Sequence, residues 1–327
     1  MGAIPRPYNA AVFTSLPRKK AASTLRDRIR AWRMYFKSYP LMRATLSDSE
    51  RALVLPFAER VDFHARATGA ALGVPGACWS MLPTVCRLVQ IGALPSWEDD
   101  MLKVRFGDIV LYAPGLDKSI GWTLREILVD DAYGLRGMDL KGRTVLDVGA
   151  YIGDSTIAFA ARGAFVHAFE PVPMVPQFLV RTVAANAMEG RVRVHPVGLA
   201  REDRRVKVDV NVTGLAGATV KAARNDARAE ASSVSQELHL VDALDYLRSA
   251  GVTAADVVKL DCEGAEYALL EDGALLEMLQ PSRVVMEYHR GGAPLHDALV
   301  KHGYRVDWPA PRSELGYMHG VRGREPA

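Results

Sequence analysis

The chain lacks the features of a disulfide-stabilised or membrane-spanning protein. Its 327 residues include only three cysteines, and these have no metal-ligand spacing: Cys78, Cys86 and Cys262. We therefore expect reduced, partly buried thiols and a cytoplasmic location. No secretory signal pattern precedes the first helix. The most apolar stretch, Met81 to Leu94, contains a proline, an arginine and a glutamine, so we expect no membrane span.

A strong charge of either sign is also missing, because the net charge is only +3. Basic residues concentrate between Arg18 and Lys37, where they alternate with aromatic residues and predict an amphipathic helix. Such a helix could contact nucleic acid phosphates or an anionic membrane surface. We favour a solvated or oligomer-facing helix that packs Trp32 and Phe36 inward. Nucleic acid is then no partner, and a homo-oligomer could form through the N-terminal helices.

The glycine pattern G-x-G-x-x-G of dinucleotide-binding proteins is a third absence. Instead, an apolar strand from Thr144 to Val148 runs into a loop from Gly149 to Gly153. These glycines allow a sharp turn and the close approach of a ligand. Asp147 and Asp154 flank the loop and would repel a pyrophosphate, but they suit the ammonium and sulfonium groups of S-adenosyl-L-methionine.

A carboxylate ends the following strand. Glu170 lies 17 residues after Gly153, directly behind the apolar segment that begins at Phe165. This spacing is typical of an acid that binds a ribose diol. The two strand ends together therefore predict a nucleoside site.

The turn Asn/Asp-Pro-Pro-aromatic, which is common in enzymes that methylate nitrogen, is absent as well. The corresponding strand end contains Asp261, Glu263 and Gly264. Two carboxylates suit a hydroxyl nucleophile whose proton must leave. Lys259, Asp261 and Glu263 alternate along one strand face. A lysine there needs a carboxylate partner, and a structural ion pair and a catalytic role remain equally open for Lys259.

A further apolar strand begins at Arg283 and ends with Glu287 and His289. We expect these two side chains to converge with Asp261 outside the carboxyl ends of the strands. A histidine oriented by a carboxylate is a competent general base at neutral pH. The alternatives are that His289 only shapes the pocket, or that the three residues bind magnesium or manganese. No tight ligand spacing demands a metal, and none is assigned.

Over residues 106 to 322 the chain resembles the FkbM-type methyltransferases, which belong to the class I enzymes. The residues that carry the resemblance are Asp147 to Asp154, Phe169 to Pro171, Asn186, Val258 to Glu266, and Glu287 to His289, together with Tyr133 and Gly134. The block Lys-x-Asp-x-Glu-Gly-x-Glu is its most specific part. Tyr151 departs from the asparagine that is usual in the family.

The resemblance implies O-methylation with S-adenosyl-L-methionine as the cofactor. Residues assigned to the donor are Asp147, Gly149, Tyr151, Gly153, Asp154, Glu170, Asp261 and Glu263. Residues assigned to catalysis are His289, Asp261 and Glu287. The acceptor is expected to be a small molecule or a glycan. The alternatives are a nucleic-acid methyltransferase that uses the basic helix and a non-catalytic protein that binds the donor.

The fold class expected is α/β, with a Rossmann-like, seven-stranded class I methyltransferase sheet in residues 101–327 and a helical region in residues 1–100. Parallel strands are predicted near 144–148, 165–169, 192–197, 256–260 and 283–288, and helices near 154–162, 173–187, 242–249, 264–279 and 293–302. An antiparallel pair near 304–308 and 317–321 closes the sheet. Residues 201–236 form an inserted hairpin and loop.

The N-terminal region is predicted to hold two further helices and a hairpin. The second helix begins at the capping-box sequence Ser47 to Glu50 and continues through Val61, with a kink at Pro56. The third covers about 77–91. The hairpin covers residues 102–112 and leads into the methyltransferase domain.

Overall fold

The structure is a computed structural model that describes residues 25–98, 100–211, 213–214 and 233–323. The chain divides into two compact units, Met1–Gly121 and Trp122–Ala327. Within the described residues, no helix combines the length and the apolar character needed to cross a membrane.

The first unit contains helices and short antiparallel sheets. Its helices are α1 (Leu25–Thr45) and α2 (Leu82–Gln90), and its strands are β1 (Arg60–His64), β2 (Ala71–Pro75), β3 (Leu94–Glu98), β4 (Met101–Phe106) and β5 (Ile109–Pro114). β1 pairs with β2, and β4 pairs with both β3 and β5. The helix predicted at 77–91 is confirmed by a 3₁₀ turn that continues into α2, and β4 and β5 confirm the predicted hairpin.

The helix predicted from Ser47 is wrong. Two short 3₁₀ turns, Ser49–Leu53 and Leu55–Phe57, stand in its place and lead into β1. The Asp48 carboxylate does not cap a helix but accepts the backbone N–H of His64 at 2.9 Å. Pro56, at the start of the second turn, removes a donor that a continuous helix would need.

The orientation expected for α1 is also wrong. Tyr35 faces the interior, whereas the side chains of Trp32 and Phe36 are 54% and 65% exposed. The predicted start of this helix, from residue 18 to residue 24, lies outside the described residues. Oligomerisation through this helix stays a prediction.

The second unit alternates strands and helices. Its strands are β6 (Thr144–Val148), β7 (Phe165–Phe169), β8 (Val192–His195), β9 (Gly198–Ala200), β10 (Arg204–Asn211), β11 (Ser233–Asp242), β12 (Val257–Leu260), β13 (Arg283–Tyr288), β14 (Arg305–Asp307) and β15 (Gly316–Val321). Its helices are α4 (Asp154–Ala160), α5 (Pro176–Ala185), α6 (Ala243–Ser249), α7 (Glu266–Leu270), α8 (Ala274–Leu279) and α9 (Ala293–Lys301). Helix α3 (Ile120–Leu124) precedes them.

A seven-stranded sheet forms the centre of this unit, in the order β14-β15-β13-β12-β6-β7-β8. β15 is antiparallel to both of its neighbours, and the pairs from β13 to β8 are parallel. Central strands of a parallel sheet are buried on both faces, and every residue of β12 is buried. The predicted sheet and its antiparallel closure are confirmed.

Two details differ from the predicted elements of the second unit. The inserted hairpin is β10 and β11, which join β9 in a separate three-stranded sheet; its residues 212 and 215–232 lie outside the described part. The helix predicted over 264–279 is divided into α7 and α8. Gly273 lies between them with φ of 77°, in the left-handed region where glycine is favoured.

Candidate functional site

The glycine loop after β6 is required by the packing of the chain itself. Gly149 has φ of +81°, and a Cβ atom there would overlap the carbonyl oxygen of Asp261. Gly153 has φ of +94°, and a Cβ atom there would lie 2.5 Å from a methyl carbon of Leu179. The sharp turn predicted for both glycines is confirmed by these positive φ values, and the close approach of a ligand stays a prediction. A substitution at Gly149 would push apart the ends of β6 and β12.

Tyr151 occupies the middle of this loop in a left-handed backbone conformation, with φ of 47°. Asparagine tolerates this region more readily than tyrosine, which explains the family's preference at this position. The backbone N–H of Tyr151 donates to Oε2 of Glu170 at 3.0 Å. This hydrogen bond joins the glycine loop to the end of β7.

Glu170 is buried at the end of β7. Besides Tyr151, the backbone N–H of Val172 donates to its other oxygen, Oε1, at 2.8 Å. Burial raises the pKa of Glu170 to about 7. Each carboxylate oxygen offers two lone pairs, so both oxygens keep one acceptor site after these bonds. This arrangement fits the two hydroxyls of a ribose.

Asp147 and Lys259 form a buried ion pair across β6 and β12. The Lys259 ammonium lies 3.1 Å from Oδ1 of Asp147 and donates to the carbonyl of Gly149 at 2.7 Å. Oδ2 of Asp147 accepts the hydroxyls of Ser155 and Thr156 at 2.8 and 2.6 Å. The prediction that Lys259 needs a neighbouring carboxylate is confirmed. Both oxygens of Asp147 contact side chains of the protein itself.

Electrostatics favour the charged form of this lysine. Burial alone would lower the pKa of Lys259, but attraction to Asp147 and Asp261 outweighs burial and raises the pKa. Asp154, at the start of α4, is also buried, and its Oδ1 accepts the backbone N–H of Ser155 at 2.9 Å. Burial raises the pKa of Asp154 to about 6.

The loop after β12 carries Asp261, Glu263 and Gly264. Glu263 and Gly264 both have positive φ, 56° and 106°. Arg290 donates to the Gly264 carbonyl at 2.7 Å, and a Cβ atom on Gly264 would overlap this guanidinium. The loop is thereby fixed against the end of β13.

Asp261, Glu287 and His289 converge at the ends of β12 and β13, as the sequence predicts. One ligand atom from each residue lies within 4.8 Å of the others. Nε2 of His289 is 3.8 Å from Oδ1 of Asp261 and 3.7 Å from Oε1 of Glu263. These distances are too long for hydrogen bonds, so the groups interact through charge.

Glu266 orients His289, a role that the sequence argument did not assign. Oε1 of this fully buried carboxylate lies 3.2 Å from Nδ1 of His289, and Oε2 accepts the backbone N–H of Gly264 at 2.8 Å. Burial opposes protonation of His289, but the bond to Glu266 and the carboxylates of Glu263 and Asp261 raise its pKa to about 9. This shift favours the protonated form of the His289 imidazole at neutral pH.

Further residues of this cluster come from outside the predicted site. The Tyr133 hydroxyl donates to Oδ2 of Asp261 at 2.7 Å. Burial and then the Asp261 carboxylate raise the pKa of Glu126, whose partner is Tyr317. Burial and then Asp261 likewise raise the pKa of Glu287 to about 8. Tyr133 could have been found from its match to the family, whereas Glu126 and Tyr317 carry no sequence signal that separates them from surface residues.

The comparisons with known proteins agree with this geometry. Residues 147–306 match the family model described as the methyltransferase FkbM domain. Residues 147–306 therefore form a methyltransferase domain of the FkbM family. The FkbM domain includes the glycine loop, Glu170, Asp261 and His289, whereas Tyr133 lies before it. The chain is therefore a methyltransferase with a class I sheet.

Solved structures that resemble the chain include other methyltransferases. An FkbM methyltransferase from Methylobacillus flagellatus KT is 12% identical at a TM-score of 0.41, with 90% of this chain and 62% of that chain covered. A SAM-dependent methyltransferase from Agrobacterium tumefaciens is 10% identical at a TM-score of 0.40, with 70% and 72% covered. Likenesses this weak add no argument about function. No curated protein matches the chain.

Proposed function

We propose that the protein transfers the methyl group of S-adenosyl-L-methionine to a hydroxyl of a small molecule or glycan. The observation that carries the proposal is the convergence of Asp261, Glu287 and His289 at adjoining strand ends, beside the glycine loop. Ligands of open α/β sheets lie outside these strand ends. A substrate hydroxyl placed there would lie beside several groups that can accept its proton. The Asn/Asp-Pro-Pro-aromatic turn, which would suit a substrate nitrogen, is absent from the corresponding strand end.

The donor fits the residues of the glycine loop and β7. Glu170 would accept both ribose hydroxyls through the acceptor sites that its backbone bonds leave. Asp261 and Glu263, at the end of β12, would face the positively charged sulfonium. Because Asp147 is enclosed by Lys259, Ser155 and Thr156, it acts on the donor only through the position of the loop.

The reaction requires the acceptor oxygen to attack the methyl carbon in line with the bond to sulfur. The C–O bond forms as the C–S bond breaks, and the sulfonium becomes a neutral thioether. The hydroxyl proton must pass to a base. With the donor bound, its positive charge would partly offset the carboxylates of Asp261 and Glu263 and so lower the pKa of His289, which would release its own proton to solvent. The neutral Nε2 atom would then accept the hydroxyl proton, while Glu266 holds the ring through Nδ1.

Glu170→Gln tests the donor site. Loss of charge-assisted bonds worth roughly 1.5 to 3 kcal/mol should weaken binding of S-adenosylhomocysteine about tenfold or more at pH 8. Since the pKa of Glu170 is about 7, its carboxylate becomes charged as the pH rises from 6 to 8. Wild-type affinity measured by calorimetry should therefore increase over this window, and the affinity of the variant should stay flat.

Glu189→Gln is the matched control, because Glu189 is exposed in the turn after α5. It should bind S-adenosylhomocysteine as the wild type does at both pH values. Thermal melting verifies that Glu170→Gln is folded at the temperature of the titration. Equal affinities of wild type and Glu170→Gln at pH 8 would remove Glu170 from the donor site.

A further inference from the structure

We propose that Asp261, Glu287 and His289 form a binding site for one divalent cation, with Mn²⁺ as the best-fitting ion. Their ligand atoms lie within 4.8 Å of one another. Oxygen-preferring divalent ions hold ligands at about 2.1 to 2.4 Å, so two ligands of one ion are at most about 4.2 to 4.8 Å apart. The three side chains therefore need little movement to share an ion.

The orientation of His289 supports the site independently of the carboxylates. A metal-ligating histidine usually donates its other ring nitrogen to a carboxylate, which fixes the ring before the ion binds. Glu266 is that carboxylate, 3.2 Å from Nδ1 and itself held by the N–H of Gly264. Nε2 is thereby directed towards Asp261, at a distance of 3.8 Å that is not a hydrogen bond.

The two carboxylate oxygens of Asp261 have different surroundings, which suits binding of an ion by one of them. Its Oδ2 accepts the Tyr133 hydroxyl at 2.7 Å and lies 3.8 Å from the Lys259 ammonium. Its Oδ1 is the oxygen that faces His289. One oxygen is thus occupied by the protein, and the other points to the place where Glu287 and His289 meet.

The ligand set selects the kind of ion. Two carboxylates and one imidazole suit Mn²⁺ better than Mg²⁺ or Ca²⁺, which prefer oxygen ligands alone. If the proposed methyl transfer is correct, such an ion would hold the acceptor hydroxyl and lower its pKa. In the metal-loaded protein His289 would be a ligand, so proton removal would pass to a carboxylate such as Glu263 or to water; in the metal-free protein His289 would be the base proposed above.

Titration of the metal-stripped full-length protein with MnCl₂, followed by the loss of the free Mn²⁺ electron paramagnetic resonance signal, tests the site without a donor or acceptor. We expect one saturable site. Glu287→Gln should weaken Mn²⁺ binding about tenfold or more, since a ligand is lost. Glu189→Gln, the same chemical change in an exposed carboxylate outside the ligand set and the donor site, should change affinity by less than about threefold.

His289→Ala separates ligation from general attraction to acidic groups. A ligand role predicts affinity about 10- to 100-fold lower. Diffuse attraction to acidic groups does not require the imidazole, so it predicts that binding is unchanged or tighter in this variant. Unchanged or tighter binding in His289→Ala, equal effects of Glu287→Gln and Glu189→Gln, or no saturable binding would each overturn the metal site. Binding of S-adenosylhomocysteine to the metal-stripped protein distinguishes that outcome from failure of the proposed function.

Discussion

His289→Ala should lower the rate of methyl transfer by about 10²- to 10⁴-fold, the usual contribution of a positioned general base. The loss follows because the variant removes the imidazole that Glu266 orients, with Nδ1 at 3.2 Å from Oε1. Affinity for S-adenosylhomocysteine should change little, since Glu170 and the glycine loop are untouched. Steady-state kinetics with an identified acceptor, together with calorimetry, measure both effects.

The matched control for this variant is His239→Ala, in an exposed histidine of β11. It should retain wild-type turnover. Full activity of His289→Ala would show that the histidine only shapes the pocket and that a carboxylate or water removes the proton. A rate loss accompanied by an equal loss of donor affinity would indicate a disturbed fold.

Lys259→Met should destabilise the protein by about 3 to 5 kcal/mol, because it leaves the Asp147 carboxylate buried without its counter-charge. Lys259 and Asp147 are both buried, and their charged atoms are 3.1 Å apart. Chemical denaturation monitored by circular dichroism gives the free energy of unfolding. Lys207→Met, at an exposed position of β10, should change this free energy by less than about 0.5 kcal/mol.

A double-mutant cycle measures the interaction energy between Asp147 and Lys259. Asp147→Asn keeps an acceptor for Ser155 and Thr156 while it removes the charge that Lys259 balances. The double variant Asp147→Asn/Lys259→Met should therefore lose less stability than the sum of the two single variants. Additive losses would mean that the ion pair does not stabilise the fold.

The central sheet could be predicted because its strands are almost entirely apolar. β6 and β12 are buried along nearly their full length, and a run of apolar residues bounded by turn residues identifies such strands. The secondary structure of the N-terminal region is harder to predict because its apolar residues follow no clear helical or strand spacing. There, tertiary bonds decide the structure: Asp48 accepts a backbone N–H from His64 in β1 and no longer acts as a helix cap.

The site could be predicted at the level of strand ends but not of individual contacts. The alternation of side chains along each strand predicts that Glu287 and His289 share one face. Because the carboxyl ends of adjacent parallel strands meet at one edge of the sheet, Asp261 is correctly predicted to lie beside them. Sequence spacing does not show that Glu266 turns back to His289. Nor does it show that the pKa of His289 is raised to about 9, which depends on burial, on Glu266 at the start of α7 and on the carboxylates of the loop after β12.

Isotope labelling of the transferred methyl group tests O-methylation by this protein. The protein is incubated with S-adenosyl-L-methionine carrying a ¹³CD₃ methyl group and a pool of hydroxylated metabolites and glycans, and products are identified by mass spectrometry. We expect a labelled methyl ether, one S-adenosylhomocysteine per product, and loss of this product in His289→Ala. Label on nitrogen or carbon would contradict O-methylation, and no labelled product together with no binding of S-adenosylhomocysteine would contradict the proposed activity altogether.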